Sequence, residues 1–227
     1  QEYIVRITDK MTKIDNADFM KTINELLAYA NDTKKRNFVE TIEVQVGLKN
    51  YDPVREKRFQ GTFVLPHPIR HKTNMMVIGN ERHCDEASAL GYAHIDAEGL
   101  KEFKRKMKPI KKWARPFHVF VASDTLIRQV PRILGPYLNK VGKFPSPLGS
   151  DENMDAKYQE MIRTLKWQMK KVICISAPVA NVSLTDEEIY QNAVASINGL
   201  VSCLKKGWQN IRAIHLKSTM GPPFRIY

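Results

Sequence analysis

The sequence predicts two domains: an α+β domain I built from both chain ends and an α/β domain II inserted between them. Three observations carry that reading. The N-terminal stretch reads α-β-β and the C-terminal stretch reads β-β-α-β, so the two ends supply parts of one assembly. The middle alternates short apolar strands with helices, the pattern of a small parallel α/β unit. Pro66-His67-Pro68, stiff and extended, and the region of Asp155 mark two linker crossings. Residues 1–67 and 156–227 therefore form domain I and residues 68–155 form domain II, with a joint that permits hinge motion.

Each element has a local reason. Asn16 caps a helix to about Ala30, with Phe19, Ile23, Leu26, Leu27 and Ala30 on one face. Phe38 to Leu48 alternates as a strand, with Phe38, Ile42, Val44, Val46 and Leu48 on one parity. Glu40 shares that apolar parity, so its carboxylate must sit at the rim or find a partner. Lys49 to Arg58 is a charged turn, and Gly61 to Leu65 a second strand. In the middle, Met75–Ile78 is a strand, Glu81–Leu90 a helix, and Asp96–Met107 a helix ending at Pro109. Phe117–Ala122 is a strand, after which Ser123 or Asp124 caps a helix through Leu134. Met154 to Leu165 is helical. Leu165–Gln168 and Val172–Val182 form a hairpin turning at Lys170-Lys171. Thr185-Asp186-Glu187-Glu188 is a capping box for a helix to about Leu204, and Ile211–Ser218 is the last strand.

Composition narrows the function classes. A chain of 227 residues with 43% hydrophobic content buries a real core and is not a disordered tail. No apolar run approaches the roughly 20 residues that span a bilayer. Gln1 does not read as a natural start, and the N-terminal stretch has no signal-peptide pattern. A net charge of +12 predicts attraction to polyanions, nucleic acid first and anionic membrane second. Cys84, Cys174 and Cys203 lie far apart with no C-x-x-C pair, which argues against a zinc ribbon or disulfide framework. They read as reduced, buried thiols of a cytosolic protein.

Several constellations invite chemistry. Eight Lys or Arg lie between Lys101 and Arg115 against one acid, Glu102, which reads as a solvated face or a phosphate footprint. The Arg132–Pro145 loop contains Gly142-Lys143, but six residues separate Gly135 from Gly142 and Phe144 stands where a phosphate loop needs Ser or Thr. An NTPase site is rejected on that spacing. His83-Cys84-Asp85 has no second cluster at ligand spacing and reads as a helix surface. No metal site or cofactor is expected. Phe38, directly after Lys34-Lys35-Arg36, reads either as a core aromatic or as an aromatic surface for ribose and base. Lys217-Ser218-Thr219-Met220-Gly221 follows the last strand; its hydroxyls and close-approach glycine suit 2′-OH and phosphate contacts, or simply a frayed terminal turn.

Taken together, four segments resemble the universal L1 family of large-subunit ribosomal proteins, in its eukaryotic L10a type. They are Phe38-Val39-Glu40-Thr41 with Leu48-Lys49-Asn50-Tyr51-Asp52-Pro53, the Arg132–Pro145 loop, Gln168-Met169-Lys170-Lys171-Val172, and Trp208-Gln209-Asn210 through Ser218-Thr219-Met220-Gly221. The likeness covers nearly the whole chain. It implies an α+β domain I holding both termini and a Rossmann-like, three-layer α/β domain II. It also implies a non-enzymatic protein of the cytoplasmic large subunit that binds rRNA at the mobile stalk beside the tRNA exit site and helps deacylated tRNA leave. Some bacterial and archaeal members also repress their own mRNA through the same surface.

Carried over by motif, the rRNA contact falls on Phe38, Glu40, Thr41, Ser218, Thr219, Met220 and Gly221, with Arg36, Lys170, Lys171 and Lys217 as surrounding cations. Many members carry Lys just before the aromatic where this chain has Asn37, and Arg36 is the neighbouring cation instead. Tyr137 stands where a Gly is common. Arg132, Lys140 and Lys143 are the candidates for tRNA or a second RNA element. The expected partners are large-subunit rRNA and exit-site tRNA, with mRNA as the alternative; no membrane, homo-oligomer or cofactor is expected. A nucleotide-using enzyme on domain II is the remaining, weaker class.

Overall fold

The computed structural model describes residues 14–53, 56, 58–150 and 152–227; part of the charged turn read at 49–58 lies outside them. The chain divides into two compact units, Gln1–His71 with Arg163–Tyr227, and Lys72–Ile162. The mixed α/β, two-domain fold class expected from the sequence is borne out.

In the first unit, α1 (Asn16–Ala28) runs into a π turn at Tyr29–Thr33 and is followed by β1 (Thr41–Leu48) and β2 (Gln60–Val64). The C-terminal part of the chain adds β7 (Thr164–Gln168), β8 (Cys174–Asn181), α9 (Asp186–Cys203), a 3-10 turn at Gly207–Asn210, β9 (Ile211–Ser218) and β10 (Pro223–Arg225). The main sheet has the order β10-β9-β1-β8, antiparallel throughout. Strand alternation does what its period dictates: Ile42, Val44, Val46 and Leu48 are fully buried while Thr41, Glu43, Gln45 and Gly47 face outward. Phe19, Ile23 and Leu26 of α1 and Ile189, Ala193, Ile197 and Leu200 of α9 join the same core, leaving the other sheet face open.

Local chemistry corrects several expectations here. Asp15, not Asn16, caps α1, its carboxylate accepting from Ala17 N at 3.1 Å; Asn16 instead accepts from the Tyr190 hydroxyl at 2.8 Å. The first strand starts at Thr41 rather than Phe38, and Phe38 is 54% exposed. The expected β7–β8 hairpin does not form. β7 pairs with β2 in a separate ribbon and β8 pairs with β1. That ribbon is anchored on α9, where buried Trp167 donates to Ser196 O at 3.1 Å. Pro66-His67-Pro68 is no free linker either. Asn192, wholly buried in α9, accepts from His67 N at 3.0 Å and donates to His67 O and Val179 O. The terminal segment is not frayed, since β10 folds back on β9 and Ile226 N donates to Ile214 O at 2.9 Å.

The second unit has the order β4-β3-β5-β6, all parallel, from β3 (Met75–Ile78), β4 (Ala93–Ile95), β5 (Val119–Ser123) and β6 (Ser146–Leu148). Its helices are α2 (Glu81–Ala89), α3 (Ala97–Glu102), α4 (Met107–Ala114), α5 (Asp124–Ile127), α6 (Val130–Leu134), α7 (Tyr137–Val141) and α8 (Met154–Arg163). Met76, Ile78, Phe120 and Ala122 pack with Leu100, Ile110, Leu134 and Leu138 on one face. Met75, Val77 and Val121 pack with Ala87 and Met154 on the other, giving three layers. Proline placement redraws the helices. Lys104 and Arg105 adopt positive φ and end α3, and Pro109 falls in the first turn of α4, where its missing N–H has no helical acceptor to lose. Pro131 likewise opens α6, splitting the single helix expected to Leu134. The short strands β4 and β6, and α7 within the Arg132–Pro145 loop, leave no signature in the sequence, because three to five residues hold too little periodicity.

Candidate nucleic-acid interface

The candidate platform forms where β1 begins and β9 ends. Antiparallel register sets Ile42 opposite Ser218, so residues 36–41 and 218–221 meet although some 180 positions apart in the chain. The Thr219 hydroxyl closes the junction, accepting from Thr41 N and donating to Thr41 O, both at 3.1 Å. Glu40 is 4% exposed and supplies the second tie, its Oε2 accepting from Met220 N at 3.1 Å. Arg36 Nε lies 3.9 Å from Glu40 Oε1, and Glu40 O accepts from Val182 N at the end of β8. The carboxylate read on the apolar parity has thus found partners, and it joins the ends of three strands.

These ties hold apolar groups in water. Phe38, Val39 and Met220 are each at least half exposed around the platform. Such groups are ordinarily buried, and rigid presentation of an aromatic ring and a thioether suits stacking against a base or ribose. Gly221 completes the turn, its N–H donating to Ser218 O; a Cβ there would strike the Ser218 hydroxyl. Ser218 is 1% exposed, and its Oγ has no protein partner. It supports the turn from inside and offers no exposed hydroxyl.

The structure brings Arg36, Phe38, Glu40, Thr41 and residues 217–221 together, but not Lys170 and Lys171. Those lysines are exposed just before β8, whose first residue Cys174 pairs with Gly47. Thr41 and Gly47 are six residues apart, which at about 3.3 Å per residue separates the two ends of the sheet by roughly 20 Å. Between them runs the open face. One row crosses all four strands, Arg225–His215–Gln45–Ser176, beside a floor of Gly47 and Ala213. A bulge at Arg212 adds a further cation to this groove. Sequence parity marks Gln45 as outward, but the row itself needs the register, which no single strand encodes.

In the second unit, Arg132 and Lys140 are exposed, with Lys140 Nζ 6.0 Å from the Tyr137 ring centre. Lys143 is otherwise engaged: its ammonium donates to Ala114 O at 2.7 Å, Arg115 O at 3.3 Å and Phe117 O at 2.6 Å. It caps the C-terminal end of α4, so its donors are turned to the chain and away from a phosphate. His83 is buried, against the surface position expected, with Nδ1 2.6 Å from Ser123 Oγ. No cysteine is fully buried; Cys174 is exposed, and burial raises the thiols of the half-covered Cys84 and Cys203. Among the described residues no cluster of His, Cys, Asp and Glu could hold a metal ion, and no helix is long and apolar enough to cross a membrane.

A split α+β domain carrying an inserted three-layer parallel unit is the two-domain architecture that the sequence resemblance implied. The chain belongs to the ribosomal protein L1p/L10e family, which matches residues 26–222. It is 49% identical over 216 residues to the large ribosomal subunit protein uL1 of Spodoptera frugiperda, covering 95% of this chain and 99% of that protein. The Drosophila melanogaster uL1 is 48% identical over the same length with the same coverage. The Arabidopsis thaliana protein uL1z is 46% identical over 217 residues, 96% of this chain and all of its own.

Proposed function

We propose that this chain binds large-subunit ribosomal RNA at the mobile stalk near the tRNA exit site and assists release of deacylated tRNA. The observation that carries the reading is the platform: Phe38 and Met220 held exposed by the Thr219–Thr41 and Glu40–Met220 ties, on a protein of net charge +12. The platform supplies shape and stacking, and the cationic open face supplies phosphate contacts. Lys170 and Lys171 then serve the far end of an RNA that crosses the sheet from Thr219 past the Arg225–His215–Gln45–Ser176 row. Arg132 and Lys140 remain the candidates for tRNA in the second unit.

Filter binding to a stalk rRNA fragment and to an unrelated RNA hairpin, over a salt series, tests this. Phe38→Ala is expected to weaken the stalk fragment by about 1–3 kcal/mol, the worth of a base stacked on an aromatic. Thr219→Val, which breaks the tie to Thr41, and Met220→Ala, which removes the exposed thioether, should weaken it in the same direction. The unrelated hairpin and the salt slope should hardly change. Equal weakening toward both RNAs would overturn the assigned roles. The platform also suits an mRNA that mimics the rRNA site, and competition between the two RNAs would expose such a repressor activity.

A further inference from the structure

The second unit carries a surface that the rRNA platform leaves unused, with Lys140, one of the tRNA candidates, on its edge. Helices α4 and α7 lie side by side over an apolar cleft of about 230 Å³. Met107, Ile110 and Ala114 of α4 and Leu138 and Val141 of α7 line it, at helical spacing on each side. Met107 is 53% exposed and Val141 47%, so the cleft opens to solvent between two large apolar residues. Directly beside it, the next face of α4 forms a cationic concavity from Lys108, Lys111, Lys112 and Arg115, with Lys111 and Val141 shared by both. Among the described residues, no Asp or Glu lines either hollow.

We infer that this double surface docks an acidic amphipathic helix of another protein, one apolar side chain entering the α4–α7 cleft and neighbouring carboxylates meeting the α4 cations. Charge complementarity and the apolar lining together select the occupant. Phosphates of RNA would use the cations but gain nothing from a cleft of methionine, isoleucine, leucine and valine. The cleft is also smaller than the roughly 300–1,000 Å³ of small-molecule sites, and suits a single anchoring side chain. Helix-in-groove recognition uses apolar residues at i, i+3 or i+4 and i+7. Met107, Ile110 and Ala114 of α4 follow that spacing, and Leu138 and Val141 of the five-residue α7 stand at i and i+3. Exposed Met107 on the basic helix α4 and exposed Val141 on α7 are what such a partner would cover.

The test uses the full chain and a fluorescein-labelled 16-residue peptide, rich in Glu, with Leu at i, i+4 and i+7. The control peptide has the same composition but scrambled apolar spacing. Anisotropy should show the patterned peptide binding at least tenfold more tightly than the control. Met107→Glu or Val141→Glu, both at exposed positions, should remove that preference, and a Lys108→Glu/Lys112→Glu double variant should weaken binding at least tenfold. Neither Met107→Glu nor Val141→Glu should alter affinity for the stalk rRNA fragment, so failure here is separable from failure of the RNA reading. Equal binding of the scrambled peptide, displacement of the peptide by stoichiometric RNA, or insensitivity to Met107→Glu would each overturn the proposal. So would concentration-dependent self-association in sedimentation velocity that Met107→Glu abolishes, because a second copy would then be the occupant.

Discussion

Glu40 shows how one side chain turns a sequence anomaly into a tie between strand ends at the candidate platform. A carboxylate at an apolar parity position is a defect unless its oxygens are satisfied. Here one oxygen takes the Met220 amide and the other faces Arg36, while the residue's own carbonyl receives Val182. Replacing it by glutamine keeps one acceptor oxygen but turns an amide NH2, itself a donor, toward one of the two donors. Glu40→Gln is expected to cost about 1–3 kcal/mol, the penalty of an unpaired buried polar group, read from urea midpoints. Because the Met220 turn loosens with it, stalk RNA affinity should fall in the same variant. Unchanged stability would mean that the carboxylate is not the tie that holds the platform.

At the scale of elements, α9 organises the first unit, and two of its features are testable. The capping box is complete: Thr185 N donates to Glu188 Oε2 at 3.0 Å and Glu188 N to Thr185 Oγ1 at 3.5 Å. The bond from the Thr185 backbone lowers the Glu188 carboxyl below its ordinary 4.5, with lesser help from the Thr185 side chain and His67. A carboxylate with a lowered folded value stabilises above pH 4.5, and that contribution is lost as pH falls through the folded value. Glu188→Gln should therefore flatten the acid side of the stability–pH curve, while Thr185→Ala should cost about 1 kcal/mol at neutral pH. The second feature is Gly199, where an added Cβ would sit 2.9 Å from Phe63 Cγ of β2. Alanine would add about 1 kcal/mol of helix propensity, but overpacking costs about 1–3 kcal/mol. Gly199→Ala is expected to lower the thermal midpoint, because Phe63 is also confined by Gly61, whose own Cβ would lie 2.7 Å from the ring.

For the molecule as a whole, the proposed RNA binding takes its affinity from the net charge of +12 and its location from the sheet. Binding to stalk RNA should fall steeply with salt, each neutralised phosphate contributing about −0.7 to −0.9 to the slope of log K against log salt. A Lys170→Gln/Lys171→Gln variant should reduce the magnitude of that slope by about 1.4–1.8 when the RNA is long enough to cross the open face, and leave a short loop fragment unaffected. Equal loss with both RNAs would place the lysines at the platform end, against the register that sets them by Gly47.

Much of this protein follows from its sequence alone. Alternation in β1, the capping box of α9 and the α-β alternation of the middle are local patterns with fixed periods, so the two-domain class, the buried parity and the long helices could be read directly. The Phe38 and Thr219-Met220-Gly221 segments were legible as motifs. Contacts between distant segments were not. Which strand partners β7, what clamps His67 and where Lys143 points depend on register and on side chains far apart in the chain. Only the folded sheet decides that Glu40 meets Met220 and that Lys170 stands at the opposite end from Thr219. Local periodicity encodes which face of an element is buried, whereas the neighbour it meets is selected by packing the whole core at once.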